Sequence, residues 1–191
     1  MPACNLIIDS CCDLPFDVVD REGIELIEFH YIAGDGEHSD DMYRSRSAHD
    51  FFDSMRNGDE PSTAQVPLTV YQDVFTRAIE SGVPTVCLSF SSGLSGSYNS
   101  AMVARDMVLE SHPEKKIYVM DSLSCGGELA LILWHVNELI AEGTPFEEVC
   151  AEAERYCSER TLLFALANFD NLVKNGRMNR LVGFMAGKLN M

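Results

Sequence analysis

Short apolar runs alternate with longer helical segments along this chain, and that rhythm limits the fold more than any other feature. Five runs read as strands: CNLIIDS (4–10), IELIEFHYI (24–32), TVCLSF (85–90), KIYVMDS (116–122) and TLLFALA (161–167). Each is short and bounded by polar or turn residues. DLPFDVVDREG (13–23) predicts a helix with Asp13 as N-cap and Gly23 as its stop. LTVYQDVFTRAIESG (68–82) sets Leu68, Tyr71, Phe75, Ala78 and Ile79 on one helical face. Further helices are expected over 47–58, 96–112, 126–143, 144–157 and 169–177. The segment 126–143 is apolar on most sides, so it is expected between layers, and Thr144 with Glu147 predicts a capping box. AGDGEH (33–38) reads as a turn and DEPSTAQVP (59–67) as a polar loop. Strands separated by such helices form right-handed βαβ units. The expected class is α/β: a mainly parallel sheet with helices on both faces over residues 1–160. A second, incomplete α/β domain is expected over 161–191, because GFMAGKLNM halts just after the last strand and helix signals.

Composition removes several functions. A net charge of −16 disfavours nucleic acid and anionic lipid surfaces, both of which require clustered Lys and Arg. The longest apolar stretch, LALILWHV (129–136), is too short to span a bilayer. No basic region followed by a long apolar one opens the chain, so a cytoplasmic protein is expected. Seven cysteines, an odd number with no C-x-x-C spacing, read as small buried hydrophobes. The five histidines show no H-x-x-x-H spacing, so no metal site is expected.

Ligands of parallel sheets bind beyond the carboxyl ends of the strands. Three polar segments should gather there: DSCC after the first strand, SSGLSGS after TVCLSF, and DSLSCGG after KIYVM. The serine-rich segment at 89–100 precedes a helix and holds no charge. As a nucleophile elbow it lacks the final glycine of G-x-S-x-G, since Ser97 follows Gly96. As a nucleotide cradle it lacks G-x-x-x-x-G-K and G-x-G-x-x-G. An anion clamp fits the chemistry. A helix N-terminus offers unpaired N–H groups and partial positive charge, Gly93 and Gly96 admit close approach, and Ser92, Ser95 and Ser97 can donate. A plain helix cap by Ser95 or Ser97 fits equally well.

The segments LIIDSCCDLP, STAQVP, SFSSGLSGSYNSA, VMDSLSCGG and LVKNGRMNRLVGFMAGKLNM occur in this order. In that order they resemble the DegV family of bacterial fatty-acid-binding proteins, some of which are the acyl-carrying subunit of a fatty acid kinase. The likeness runs from the first strand to the last residue. It implies a long-chain fatty acid whose carboxylate is held by Thr63 and Ser95, with Ser92, Gly96 and Ser97 around it. The family's TSQP reads Thr63-Ala64-Gln65-Val66 here, so one hydroxyl and one proline are replaced. Where the family has a threonine after glycine, Ser97 keeps the hydroxyl. Arg177, after Asn175-Gly176, is implied on the side where a phosphoryl group arrives, with capping of its own helix as the alternative. The resemblance implies a carrier rather than a catalyst, needing no cofactor beyond the bound acid, with a kinase catalytic subunit as partner. A serine esterase or thioesterase using Ser95 is the alternative. Burying about fourteen methylenes at ~0.8 kcal/mol each offers on the order of 11 kcal/mol before association costs, so an apolar tunnel must carry most of the affinity.

Overall fold

A computed structural model of the chain describes residues 3–34, 36–163, 165–166, 168–179 and 182. In chain order the strands are β1 (Asn5–Asp9), β2 (Glu25–Ile27), β3 (His30–Ala33), β4 (Gly36–Ser39), β5 (Ser62–Ala64), β6 (Thr85–Ser89) and β7 (Ile117–Asp121). The helices are α1 (Phe16–Arg21), α2 (Ala48–Arg56), α3 (Leu68–Glu80), α4 (Ser97–Ser111), α5 (Gly126–Ala141), α6 (Phe146–Ser158) and α7 (Asp170–Lys174). Two compact units divide the chain, Met1–Thr161 and Leu162–Met191.

The first unit is built on a four-stranded parallel sheet in the order β2-β1-β6-β7. Strand alternation splits its side chains between two cores. Ile7, Cys87 and Val119 pack against Tyr71, Val74 and Phe75 of α3 and Ala101 and Ala104 of α4. Leu6, Ile8, Val86, Leu88 and Met120 point the other way, against Val19 of α1, Leu129, Ile132, Leu133 and Val136 of α5, and Val149 and Ala153 of α6. Fully burying such a side chain is worth ~1.5–3 kcal/mol, so each face of the sheet contributes to stability. The α/β class and the helices on both faces are as the sequence predicts.

Several expectations need correction. The run 24–32 is two strands in different sheets. After Ile27 the Phe29 N–H donates to Ser10 Oγ at 3.1 Å and Phe29 O accepts from Asp40 N at 2.7 Å, which takes the chain out of the parallel ladder. It re-enters as β3, the centre of an antiparallel sheet ordered β4-β3-β5. The polar loop at 59–67 therefore contains a strand, β5, in which Thr63 pairs with Tyr31. Asp13 does not cap α1; it closes a single 3-10 turn (Ser10–Cys12) at φ 55, and Pro15 holds the N-cap position. Pro145 likewise starts α6, moving Glu147 one position early for a capping box, and no side-chain cap forms. Helix α5 is not wrapped on all sides: Leu131 and Trp134 are 57% and 41% exposed, because the sheet and α6 cover only part of its girth.

In the second unit, α7 ends at Lys174, Asn175 is its C-cap and Gly176 takes the left-handed conformation (φ 74) that releases the chain from the helix. The strand predicted at 161–167 does not form among the described residues 161–163 and 165–166, where Leu163 is 87% exposed and no ladder partner is present. Phe164, Ala167 and the GFMAGKLNM stretch (183–191) lie outside the described residues.

Candidate functional site

From β1 the chain crosses to β2 on one side, whereas β6 and β7 extend the sheet on the other. The order thus reverses between β1 and β6, and ligands of open parallel sheets bind at the carboxyl ends of strands at such a switch point. The loop after β1 carries Asp9 to Cys12, the loop after β6 carries the serines, and β7 supplies a third loop beside them.

These loops are tied together by side chains accepting backbone N–H groups. Asp9, 1% exposed, accepts from Phe90 N at 2.6 Å and from Cys11 N at 3.2 Å. Burial pushes its carboxyl up to about 7, with Asp40 adding to the rise and the two N–H bonds opposing it. Asp121 Oδ1, at the end of β7, accepts from Ser92 N at 3.0 Å and Leu123 N at 3.1 Å. Backbone bonds join the same loops, Ser91 N to Ser124 O at 3.1 Å and Ser122 N to Ser89 O at 3.1 Å. A close approach also fixes Gly126, where a Cβ would lie 2.8 Å from Asp13 Oδ2 at a φ of 55.

Within the serine loop, Gly96 is the N-cap of α4 and offers no side-chain cap. Ser95 Oγ accepts from Ser97 N at 3.2 Å, so the capping contact exists. Ser95 Oγ and Ser97 Oγ lie 2.9 Å apart, and the fully buried Ser97 Oγ accepts from Val66 N at 3.0 Å. Gln65 Nε2 donates to Ser100 Oγ at 3.3 Å, and a Cβ on Gly96 would stand 2.0 Å from Gln65 Oε1. Glycine at 96 is what lets the Gln65 side chain lie against the start of α4. The segment carrying Thr63 is thereby stitched to the segment carrying Ser95. Thr63 itself is exposed, and its pairing with Tyr31 places it on the sheet face shared with Tyr31 and His38, whose rings stack at 5.1 Å. Ser92 is exposed and Ser95 half-buried.

Beneath the loop lie two more hydroxyls, Tyr71 Oη and Ser89 Oγ, in side chains each 1% exposed. Neither makes a hydrogen bond of good geometry among the described residues. Sequence reasoning assigned Tyr71 to a core face, placed Asp9 and Asp121 in polar segments at this edge, and gave none of Asp9, Gln65, Ser89 and Asp121 a role of its own. Asp9 and Asp121 had a legible signal, since both sit at the polar end of a strand. Arg177 belongs to the second unit, where its guanidinium donates to Asn175 O at 2.7 Å and its N–H to Leu172 O at 2.8 Å, closing the end of α7.

Among the described residues no group of three or more His, Cys, Asp or Glu is arranged to hold a metal ion, and no helix is long and apolar enough to cross a membrane. A cavity of about 260 Å³ lies at the opposite end of the sheet, lined by Cys4, Asn5, Glu22, Glu25, Arg77 and Ser81 among others.

Residues 3–191 match the family described as "Uncharacterised protein, DegV family". A DegV domain-containing protein of Streptococcus pneumoniae strain R6 is 45% identical over 119 residues, 62% of this chain and 42% of that protein. The S. pneumoniae Fatty Acid Kinase (Fak) B3 protein, solved loaded with linoleic acid, matches with a TM-score of 0.80 at 33% identity, covering 97% of this chain and 65% of the other. A DegV family protein from Eubacterium eligens, loaded with heptadecanoic acid, matches with a TM-score of 0.79 at 28% identity, covering 97% and 64%. The chain thus spans between 42% and 65% of the length of these proteins. With a family match over nearly its whole length, on a fold shared with solved members, the chain belongs to the DegV family.

Proposed function

We propose that this protein binds a long-chain fatty acid, with the carboxylate at the serine loop held by Thr63 and Ser95 and bordered by Ser92, Gly96 and Ser97. The carrying observation is the stitch between the two segments, Val66 N to Ser97 Oγ, at the switch point of the parallel sheet and the N-terminus of α4. That position combines hydroxyl donors with the N-terminal end and partial positive charge of a fifteen-residue helix. Solved relatives at 28% and 33% identity carry fatty acids. The protein acts as a cytoplasmic carrier that presents the acid to a kinase subunit and needs no cofactor of its own, and Arg177 meets the arriving phosphoryl group.

The esterase alternative finds less support. The hydrogen-bond partners of Ser95 Oγ are Ser97 Oγ and Ser97 N, and an acyl-transfer serine needs a base to take its proton. To test the proposal, delipidated chain is titrated calorimetrically with palmitic acid and, separately, incubated with a p-nitrophenyl ester. Saturable binding of the acid with no ester turnover is expected. Ester turnover that disappears in Ser95→Ala would replace a carrier with a hydrolase.

A further inference from the structure

The serine clamp has a polarity that its visible bonds do not settle. Ser97 Oγ owns one proton and two lone pairs, and Val66 N–H occupies one lone pair. If a second donor fills the other lone pair, the Ser97 proton must go to Ser95 Oγ, 2.9 Å away. Ser95 Oγ then accepts from both Ser97 O–H and Ser97 N–H, which fills its lone pairs. Its own proton is left with one direction, outward from the loop. If no second donor arrives, Ser95 can spend its proton inward on Ser97, and the clamp loses its donor.

Tyr71 is the candidate for that second donor. Tyr71 is 1% exposed on α3, with Oη orphaned, and Ser89 Oγ is orphaned beside it. Burial raises the phenol well above its ordinary range, with hydrogen bonding from the hydroxyls of Ser89 and Ser97 acting against that rise. A buried hydroxyl with no partner is destabilising, so a hydrogen bond from Tyr71 to Ser97 is favoured by the removal of that cost. Phenylalanine would fill the same volume without it, and the hydroxyl therefore calls for an explanation.

We infer that Tyr71 is a positioning residue for the anion clamp: its hydroxyl donates to Ser97 Oγ, Ser97 donates to Ser95, and Ser95 is thereby held as an outward donor to the ligand carboxylate. This rests on the fatty-acid reading, and the test separates the two. Wild type and Tyr71→Phe are titrated with palmitic acid and with hexadecanol, which keeps the tail and lacks the carboxylate. The expected result is a three- to tenfold weaker Kd for the acid, an unchanged Kd for the alcohol and an unchanged or higher Tm. Unchanged acid affinity overturns the inference, as does equal weakening of both ligands with a lowered Tm, which marks a packing role. A second measurement needs no ligand. With 13Cζ-labelled tyrosine, the Tyr71 resonance, assigned by its absence from Tyr71→Phe, should move in Ser97→Ala. If wild type binds no fatty acid, the functional proposal falls while this resonance still decides the relay; an unmoved signal overturns it.

Discussion

Asp9 is the residue whose chemistry most depends on where the fold puts it. Two backbone N–H groups favour its ionised form, yet near-complete burial outweighs them and pushes the carboxyl up to about 7. In an unfolded chain the same group titrates near ~3.9. Between these values the native state binds more protons than the unfolded one, so stability falls as pH rises through that window and the penalty is complete above it. The loss attributable to Asp9 is on the order of 2–4 kcal/mol. Asp9→Asn removes it. The difference in unfolding free energy between wild type and variant, from urea melts at pH 4.5 and pH 8, should shift by that amount in favour of the variant at high pH. A pH-independent difference would show that the carboxyl is ionised throughout. The sequence marked this aspartate only as the polar end of a strand. Its burial follows from β6 lying next to β1, a pairing between residues some 80 positions apart that no local pattern contains.

At the scale of elements, the long signals were legible and the short ones were not. Helices α3 to α6 and strands β1, β6 and β7 follow from periodicity, because each carries enough apolar residues to define a face. Strands β3 and β5 escaped: β3 was absorbed into the run before it, and β5 has three exposed residues with no pattern to read. Yet β5 is what brings Thr63 towards the serine loop, through Val66 and Gln65 just beyond it. The resemblance to a family, not periodicity, singled out Thr63. Because the two hydroxyls come from different elements, their contributions can be separated. Thr63→Val and Ser95→Ala should each weaken palmitic acid binding by ~1–3 kcal/mol, the cost of losing a hydrogen bond to a charged group. If both hydroxyls hold one carboxylate, the double variant should lose less than the sum of the two. Binding as tight as wild type in both single variants would place the carboxylate elsewhere.

For the molecule as a whole, the question is which part of it holds the acyl tail. Hydrogen bonds at the head contribute ~1–3 kcal/mol each, whereas every buried methylene adds ~0.8 kcal/mol, so affinity is expected to climb with chain length wherever the tail is enclosed. In the first unit the sheet is packed on both faces by side chains from α1, α3, α4, α5 and α6. The cavity of about 260 Å³ sits at the end of the sheet remote from the serine loop, with Glu22, Glu25 and Arg77 on its walls beside apolar residues such as Leu6, Ile24 and Ile140. A tail clamped at Ser95 must therefore be enclosed outside that cavity. The chain covers 65% of the S. pneumoniae Fak B3 protein, which was solved with linoleic acid bound. Titrating both proteins with saturated acids of ten to eighteen carbons reads the tail contribution directly as the slope of binding free energy against carbon number. The expected slope for both is ~0.8 kcal/mol per methylene, the value for a tail fully withdrawn from water, and a shallower slope for this chain would show that its tail stays partly in solvent. Equal slopes would mean that the tail is enclosed entirely by residues this chain possesses, and the search for its path would return to the apolar faces of the first unit.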